Sequence, residues 1–270
     1  MKRRHLTFFC KGTELAATLD AARAKTGLLI VSGGNEVRSG PWGSQAQLAE
    51  RIAAAGFPVF RFDRRGVGDS AGANAGFTGS VPDIAAAIQA FRAHVPALQR
   101  VVAFGNCDAA SALMLAGGKG CDALVLANPW TFEPERAPER AADTPPRPAM
   151  PPQLVRAHYL KRLSDPRAVW RLLTGKVNVG ALAASLKDAA KPAAPPSSLA
   201  QDMAAALTGF AGGATILLAG RDRTAQAFLS HWDKNDPRLR TCPEASHSFV
   251  EPQARIWLQG QILGALRGLS

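Results

Sequence analysis

The segment Gly105-Asn106-Cys107-Asp108-Ala109 sets a thiol among small residues, directly after the apolar run Arg100-Val101-Val102-Ala103-Phe104 and directly before Ala110-Ser111-Ala112-Leu113-Met114-Leu115-Ala116. An ionised thiol is a strong nucleophile toward acyl carbon. A strand that reverses sharply into a helix strains its central residue, and small neighbours such as Gly105 and Ala109 let the backbone close while the central side chain is pushed outward. The pattern is that of a nucleophile elbow with Cys107 where serine commonly stands. The N-terminus of the following helix, including the Asp108 amide, then faces the negative charge that develops on an attacked carbonyl oxygen. The competing reading is a structural cysteine, since free cysteines are often buried as small hydrophobes.

An elbow nucleophile works with an acid and then a histidine later in the chain, each at a strand end. The apolar run Ala214-Thr215-Ile216-Leu217-Leu218-Ala219-Gly220 leads into Arg221-Asp222-Arg223, and Leu239-Arg240-Thr241-Cys242-Pro243 leads into Ala245-Ser246-His247-Ser248-Phe249. Asp222 alone could simply open a helix, where aspartate is favoured, and His247 alone could be a solvated loop residue. The joint order and strand-end placement of Cys107, Asp222 and His247 point instead to a catalytic triad. His5, His94, His158 and His231 lie near the N-terminus or within helical patterns and compete poorly for the base.

The elements that must carry these groups follow from the apolar pattern. A hairpin is expected from His5–Cys10 and Glu14–Leu19 around a Lys11-Gly12 turn. Buried strands are expected at Gly27–Val31, Val59–Phe62, Arg100–Phe104, Ala123–Ala127 and Ala214–Gly220. Leu48, Ile52 and Ala55 mark one helix face, and Ile84, Ile88, Phe91 and Val95 another. Strands joined by helical crossovers require a mostly parallel sheet with helices on both faces, an α/β fold. Residues 128–207 break the alternation with prolines at both ends and helix-like segments between. The expected organisation is therefore one core, 1–127 with 208–270, carrying a Pro-rich, basic helical lid insertion at 128–207.

Composition agrees with a single globular domain: 270 residues, 47% of them hydrophobic. The basic Met1–His5 start lacks the apolar core of a signal peptide, and no run reaches the roughly 18 apolar residues of a membrane helix, so a cytoplasmic location without a transmembrane segment is expected. Cys10, Cys107, Cys121 and Cys242 show no C-x-x-C spacing, which argues against a zinc site, and a thiol acyl-enzyme mechanism requires neither a metal nor an organic cofactor. The 32 basic and 21 acidic residues give a net charge of +11. With no nucleic-acid motif beside it, that charge fits a small acyl substrate of anionic character better than nucleic acid. Oligomeric state is left open.

Three stretches carry a family resemblance: Gly33-Gly34-Asn35-Glu36-Val37-Arg38-Ser39-Gly40, Phe62-Asp63-Arg64-Arg65-Gly66-Val67-Gly68-Asp69-Ser70 and Gly105–Leu113. With Ser246-His247-Ser248-Phe249 they resemble the α/β-hydrolase superfamily, and more narrowly the exosortase A system-associated hydrolases of type one. The resemblance implies an α/β-hydrolase fold and a bacterial hydrolase in an exopolysaccharide and protein-sorting setting, with no substrate named. The loop after the third strand has Ser32-Gly33 where the superfamily usually has His-Gly. Main-chain amides of Gly34 or Asn35 can still join that of Asp108 as an oxyanion hole, because such donors need no particular side chain; a plain tight turn is the alternative.

The chemistry expected is an acyl-enzyme on Cys107, with His247 as base and Asp222 orienting it, in an esterase or thioesterase. An acyltransferase using the same intermediate and a non-catalytic scaffold of the same fold are the alternatives. Asp108 sets a negative charge beside the thiol, against the helix N-terminus and an imidazolium that favour the thiolate. Glu36, Arg38, Arg156, Arg162 and Arg167 are candidate substrate contacts, the lid arginines through attraction of an anionic acyl donor; the alternatives are a solvated helix face for the lid charges and a solvated loop position for Glu36.

Overall fold

A computed structural model describes residues 2–132 and 198–270. The Pro-rich segment, with Arg156, Arg162 and Arg167 and the expected lid helices, lies outside the described residues.

The chain opens on the hairpin β1 (Lys2–Cys10) and β2 (Thr13–Ala21), then runs through β3 (Thr26–Val31), α1 (Ser44–Ala54) and β4 (Val59–Phe62). It continues with α2 (Val81–His94), β5 (Arg100–Asn106), α3 (Asp108–Leu115) and β6 (Ala123–Ala127). After the undescribed segment come α4 (Ser198–Thr208), β7 (Gly213–Ala219), α5 (Arg223–Ser230), β8 (Leu239–Cys242) and α6 (Pro252–Arg267). Among the described residues the strands form one eight-stranded sheet in the order β1-β2-β4-β3-β5-β6-β7-β8. Only β1 with β2 and β2 with β4 are antiparallel; every other pair is parallel. This is the expected mostly parallel α/β architecture.

Sequence dictates the layering directly. β3, β4 and β6 are buried along their whole length, as strands covered by helices on both faces must be. Side chains alternate between faces, so Leu29 and Phe60 enter one core with α2, α3 and the hairpin, while Leu28, Ile30 and Val59 enter a second with α1 and α6. Phe60 anchors the first core. Its ring stacks on Phe91 at 5.4 Å and meets Phe8 edge-on at 5.9 Å. Helix α4 falls inside the range expected for the insertion, yet Leu199, Ala200, Met203 and Leu207 pack into this same core. The helix belongs to the scaffold because its apolar residues recur on one face that α3 can cover.

The polar exception to the buried sheet is a charge cluster beside the hairpin. Arg61, on β4, reaches Asp20 at 3.2 Å and the Arg38 carbonyl at 2.6 Å, and Arg38 in turn is bound to the buried Asp63 and to Asp69. Arg3 closes the cluster on Asp20 at 2.6 Å. Among the described residues no helix is long and apolar enough to cross a membrane.

Phe60→Ala should cost about 3–5 kcal/mol of unfolding free energy, because it removes a fully buried ring in contact with two others. Denaturant unfolding checks this; a loss below about 1 kcal/mol would show that the hairpin side of the core collapses around the gap.

Candidate active site

The last residues of β5 and the first of α3 are separated by Cys107 alone, so this one residue must absorb the whole reversal of the chain. It does so at φ 62 and ψ −128, a positive φ that a residue with a Cβ adopts at a cost on the order of 1–3 kcal/mol. Two glycines make the closure possible. A Cβ on Gly105 would stand 2.8 Å from the Ala109 carbonyl carbon, and one on Gly33 would stand 2.6 Å from the Asn106 carbonyl oxygen and 3.6 Å from the Cys107 Cβ. The Cys107 amide donates to the Ala127 carbonyl at 3.0 Å, tying the elbow to β6. Its thiol is partly exposed.

The histidine and the acid arrive from the next strand ends. His247 Nδ1 donates to Asp222 Oδ2 at 2.9 Å, and the Cys107 thiol lies near enough to the ring to favour its charged form. With Nδ1 engaged by the acid, Nε2 is the nitrogen left for the thiol. Asp222 is buried and also caps α5, accepting from the Ala225 amide at 3.1 Å. One carboxylate oxygen of Asp222 thus serves both the helix cap and the His247 ring. The thiol, imidazole and carboxylate come together in that order.

Burial alone would drive the His247 ring toward its neutral form, but the hydrogen bonds to Asp222 and Cys107 and their charges outweigh it and raise the ring to about 10. The other thiols are held back from ionising. Burial pushes Cys121 up to about 12 with Asp122 adding to it, burial and Asp83 raise Cys10, and burial raises Cys242.

The expected oxyanion donors are placed less simply. Asp108 is the first residue of α3, so its amide has no acceptor within the helix. The Gly34 amide, by contrast, is taken: it donates to Asp108 Oδ1 at 2.6 Å. The buried Arg64 holds this arrangement, with Nη2 donating to the Gly34 carbonyl and standing 3.5 Å from Asp108 Oδ2. Asn35 is exposed, its side-chain oxygen accepting from Asn74 at 2.9 Å. Glu36 does approach the site. Burial raises its carboxyl, His247 and Arg64 pull it down, and Asp108 pushes it up.

Arg38, expected as a substrate contact, is instead committed to Asp63, Asp69 and the Thr18 hydroxyl. Its neighbours in sequence gave no hint of this, because the buried Asp63 that binds it comes from the end of a different strand.

Two positioning residues escaped the sequence reading. Asn128 Nδ2 donates to the His247 carbonyl at 3.0 Å and to Asn106 Oδ1 at 3.0 Å, while Asn128 Oδ1 accepts from the Ala219 amide at 2.8 Å. Asn106 Nδ2 donates to the same His247 carbonyl at 3.2 Å. Asn128 is fully buried and Asn106 partly so, and together they fix the histidine loop to the ends of β5, β6 and β7. The available signal was that each is a polar residue set at the end of an apolar strand run.

Comparison with known proteins follows the same lines. The family described as "Alpha/beta hydrolase family" matches residues 28–256. No curated protein matches the sequence. Among solved structures, the Pyrococcus furiosus esterase Pf2001 is similar at 13% identity over 98% of this chain and 92% of that one, with a TM-score of 0.61. An α/β serine hydrolase without lid from Xanthomonas campestris is similar at 15% identity over 100% and 95%, TM-score 0.57. Est1E from Butyrivibrio proteoclasticus, with ferulic acid bound, is similar at 14% identity over 97% and 99%, TM-score 0.60.

A histidine raised from 6.5 to about 10 on folding adds stability that is fully present below pH 6.5 and is lost as the pH climbs through about 10. An NMR titration, with the resonance assigned by its loss in His247→Gln, should show the ring protonated through neutral pH. Asp222→Asn and Cys107→Ala should each lower its midpoint. A native midpoint near 6.5 would mean that the two partners do not grip the ring.

Proposed function

The chain belongs to the alpha/beta hydrolase family, and from that premise we propose that it hydrolyses an ester or thioester through an acyl-enzyme on Cys107. The observation that carries this reading is the unbroken chain from Cys107 through His247 to Asp222, with the thiol raised on a strained turn. A scaffold has no need to align three such groups. Of the three similar proteins named above, one is an esterase, one a serine hydrolase and one holds ferulic acid, which fits hydrolytic chemistry on this fold; the cysteine reading rests on this chain's own residues.

In the proposed cycle the proton shared by Cys107 and His247 resides on the ring. Sγ attacks the acyl carbon and the carbonyl electron pair moves onto oxygen, stabilised by the Asp108 amide. The intermediate collapses, the bond to the leaving alkoxide or thiolate breaks, and His247 gives that group its proton. Neutral His247 then takes a proton from water as its oxygen attacks the acyl carbon. The carbon–sulfur bond breaks, the acid leaves, and the protonated ring again faces the sulfur. Asp222 holds the ring in register throughout and stabilises its positive charge. An alcohol or amine in place of water would make the same intermediate an acyl transfer. The resemblance to exosortase A system-associated hydrolases supports a role beside bacterial exopolysaccharide export, acting in the cytoplasm.

Intact-protein mass spectrometry after exposure to a panel of acyl thioesters should find one acyl adduct, lost in Cys107→Ala. Cys107→Ala should abolish turnover, and Cys107→Ser should leave a small fraction of it. Wild-type turnover by Cys107→Ala would refute the nucleophile assignment.

Asp222→Asn and His247→Ala should each lower kcat by roughly 10³ or more, and the double variant should lose little beyond either single one, because the two act as a unit. Asp222→Asn keeps a side chain that can cap α5, so its loss of thermal stability should come from the lowered His247 midpoint, appearing at neutral pH and fading above about pH 10. Losses that multiply in the double variant would make Asp222 a helix cap only.

A further inference from the structure

The structure holds a cavity of ≈ 240 Å³ between α1, α6 and the turn at Ser248–Val250. Leu48, Phe104, Phe249 and Leu258 give it apolar walls. Cys107 and His247 do not line it themselves, but their chain neighbours Asn106 and Ser248 do, which brings one end of the cavity, its mouth, beside the reacting groups. Glu36 lines the same end, within reach of the His247 charge, and its carboxylate approaches Gln45 Nε2 near the start of α1 at 3.5 Å.

The other end has the opposite charge. Arg51 lies two turns along α1 from Ser44, about 10 Å at 1.5 Å per residue, and Arg255 stands in the first turn of α6; both line the cavity. Arg51 Nε is satisfied by Gln259 Oε1 at 2.8 Å, and Arg255 Nε by the Val250 carbonyl at 3.1 Å. Among the described residues their terminal nitrogens meet no acceptor and neither guanidinium makes an ion pair, Arg51 being half-buried and Arg255 exposed at the rim. Two unpaired guanidinium groups at one end of an apolar slot are a ready site for an oxyanion.

We propose that this cavity binds the acyl chain of the substrate and that Arg51 and Arg255 receive an anionic group at its far end. The acyl donor is then a half-ester or half-thioester of a medium-length dicarboxylic acid. The walls and the unpaired arginines fix the direction: at the reacting end Glu36 and Asp108 are already faced by His247 and Arg64, the apolar walls take methylenes, and the carboxylate is left for Arg51 and Arg255. The span of about 10 Å corresponds to a chain of roughly eight carbons, since an extended chain with bonds of about 1.5 Å and angles of about 111° advances about 1.25 Å per bond. This deepens the function proposed above and rests on it for the placement of the acyl carbonyl at the mouth.

The test measures binding, so it does not depend on turnover. Calorimetry on Cys107→Ala protein compares monomethyl suberate with methyl octanoate, which share a chain length and differ in the terminal carboxylate. The carboxylate-ended ester should bind at least about tenfold more tightly. Arg51→Gln with Arg255→Gln should erase that preference, and Arg51→Lys with Arg255→Lys should retain most of it, which separates lost charge from lost fold. Equal binding of the two esters, or a preference that survives the paired glutamine changes, overturns the proposal. The two readings fail separately. A suberyl thioester that binds wild-type protein without acylating Cys107 would count against the nucleophile and leave the cavity assignment standing, whereas acylation with no preference for the charged chain would do the reverse.

Discussion

The reversal of chain direction at Cys107 is the constraint around which the rest of the site is arranged. A parallel sheet delivers β5 to its carboxyl end, α3 must return along the sheet face, and a single residue at φ 62 joins them. Such a turn survives only where the packing over-determines it. Here β6 supplies it from one side, through the Ala127 carbonyl, and Gly33 and Gly105 leave the space into which the main chain folds. The strain is sustained by a scaffold buried on both sides, because Val101, Val102, Ala103, Ala109, Ala110 and Ala112 are all out of contact with water. The apolar content of β5 and α3 thus holds a partly exposed thiol on a strained turn.

Stability and positioning are also joined at Asp222. As a cap it satisfies one of the otherwise orphaned amides of α5, an interaction worth about 1 kcal/mol in typical helices. As the partner of His247 it opposes the burial that would neutralise the ring. One carboxylate oxygen serves both, so the start of α5 and the orientation of the imidazole are set by the same bond network. Asn106 and Asn128 do the equivalent for the histidine main chain. Four strand ends therefore converge on His247, and a shift in any one of them is felt at the thiol.

Much of this was legible in the sequence because the signals were local. Val59–Phe62 and Ala123–Ala127 appear with the bounds that their apolar runs indicated, and the elbow announces itself through small residues around a thiol. Cys107, Asp222 and His247 could be selected by order alone, since a doubly covered parallel sheet puts successive strand ends on one side. What escaped was set by contacts distant in sequence. Arg38 looked available until Asp63 closed on it, and the placement of α4 in the core depended on which helix face α3 left open. Asn128 carries no motif at all. Its role exists only because three strands end beside it.

The pairing of Asp108 with Gly34 bears on what a substrate must do to react. A main-chain amide at the end of β3 is well placed to meet an oxyanion, yet here it already holds a carboxylate oxygen at 2.6 Å. A carboxylate is the nearest mimic of a tetrahedral oxyanion that the chain itself can offer: it has negative charge on an oxygen that accepts from an N–H. Arg64 steadies it from behind, buried and with Nη1 lacking any partner, so the Asp108 charge is partly balanced without being removed. For the Gly34 amide to serve the reaction, the carbonyl oxygen has to displace Asp108 from it, and the carboxylate then turns toward Arg64. That exchange replaces one charge-assisted hydrogen bond by another, so it costs little once the oxyanion has formed, but it disfavours a neutral carbonyl that has not yet been attacked. For the acyl chemistry proposed above, such an exchange would distinguish transition state from ground state by charge.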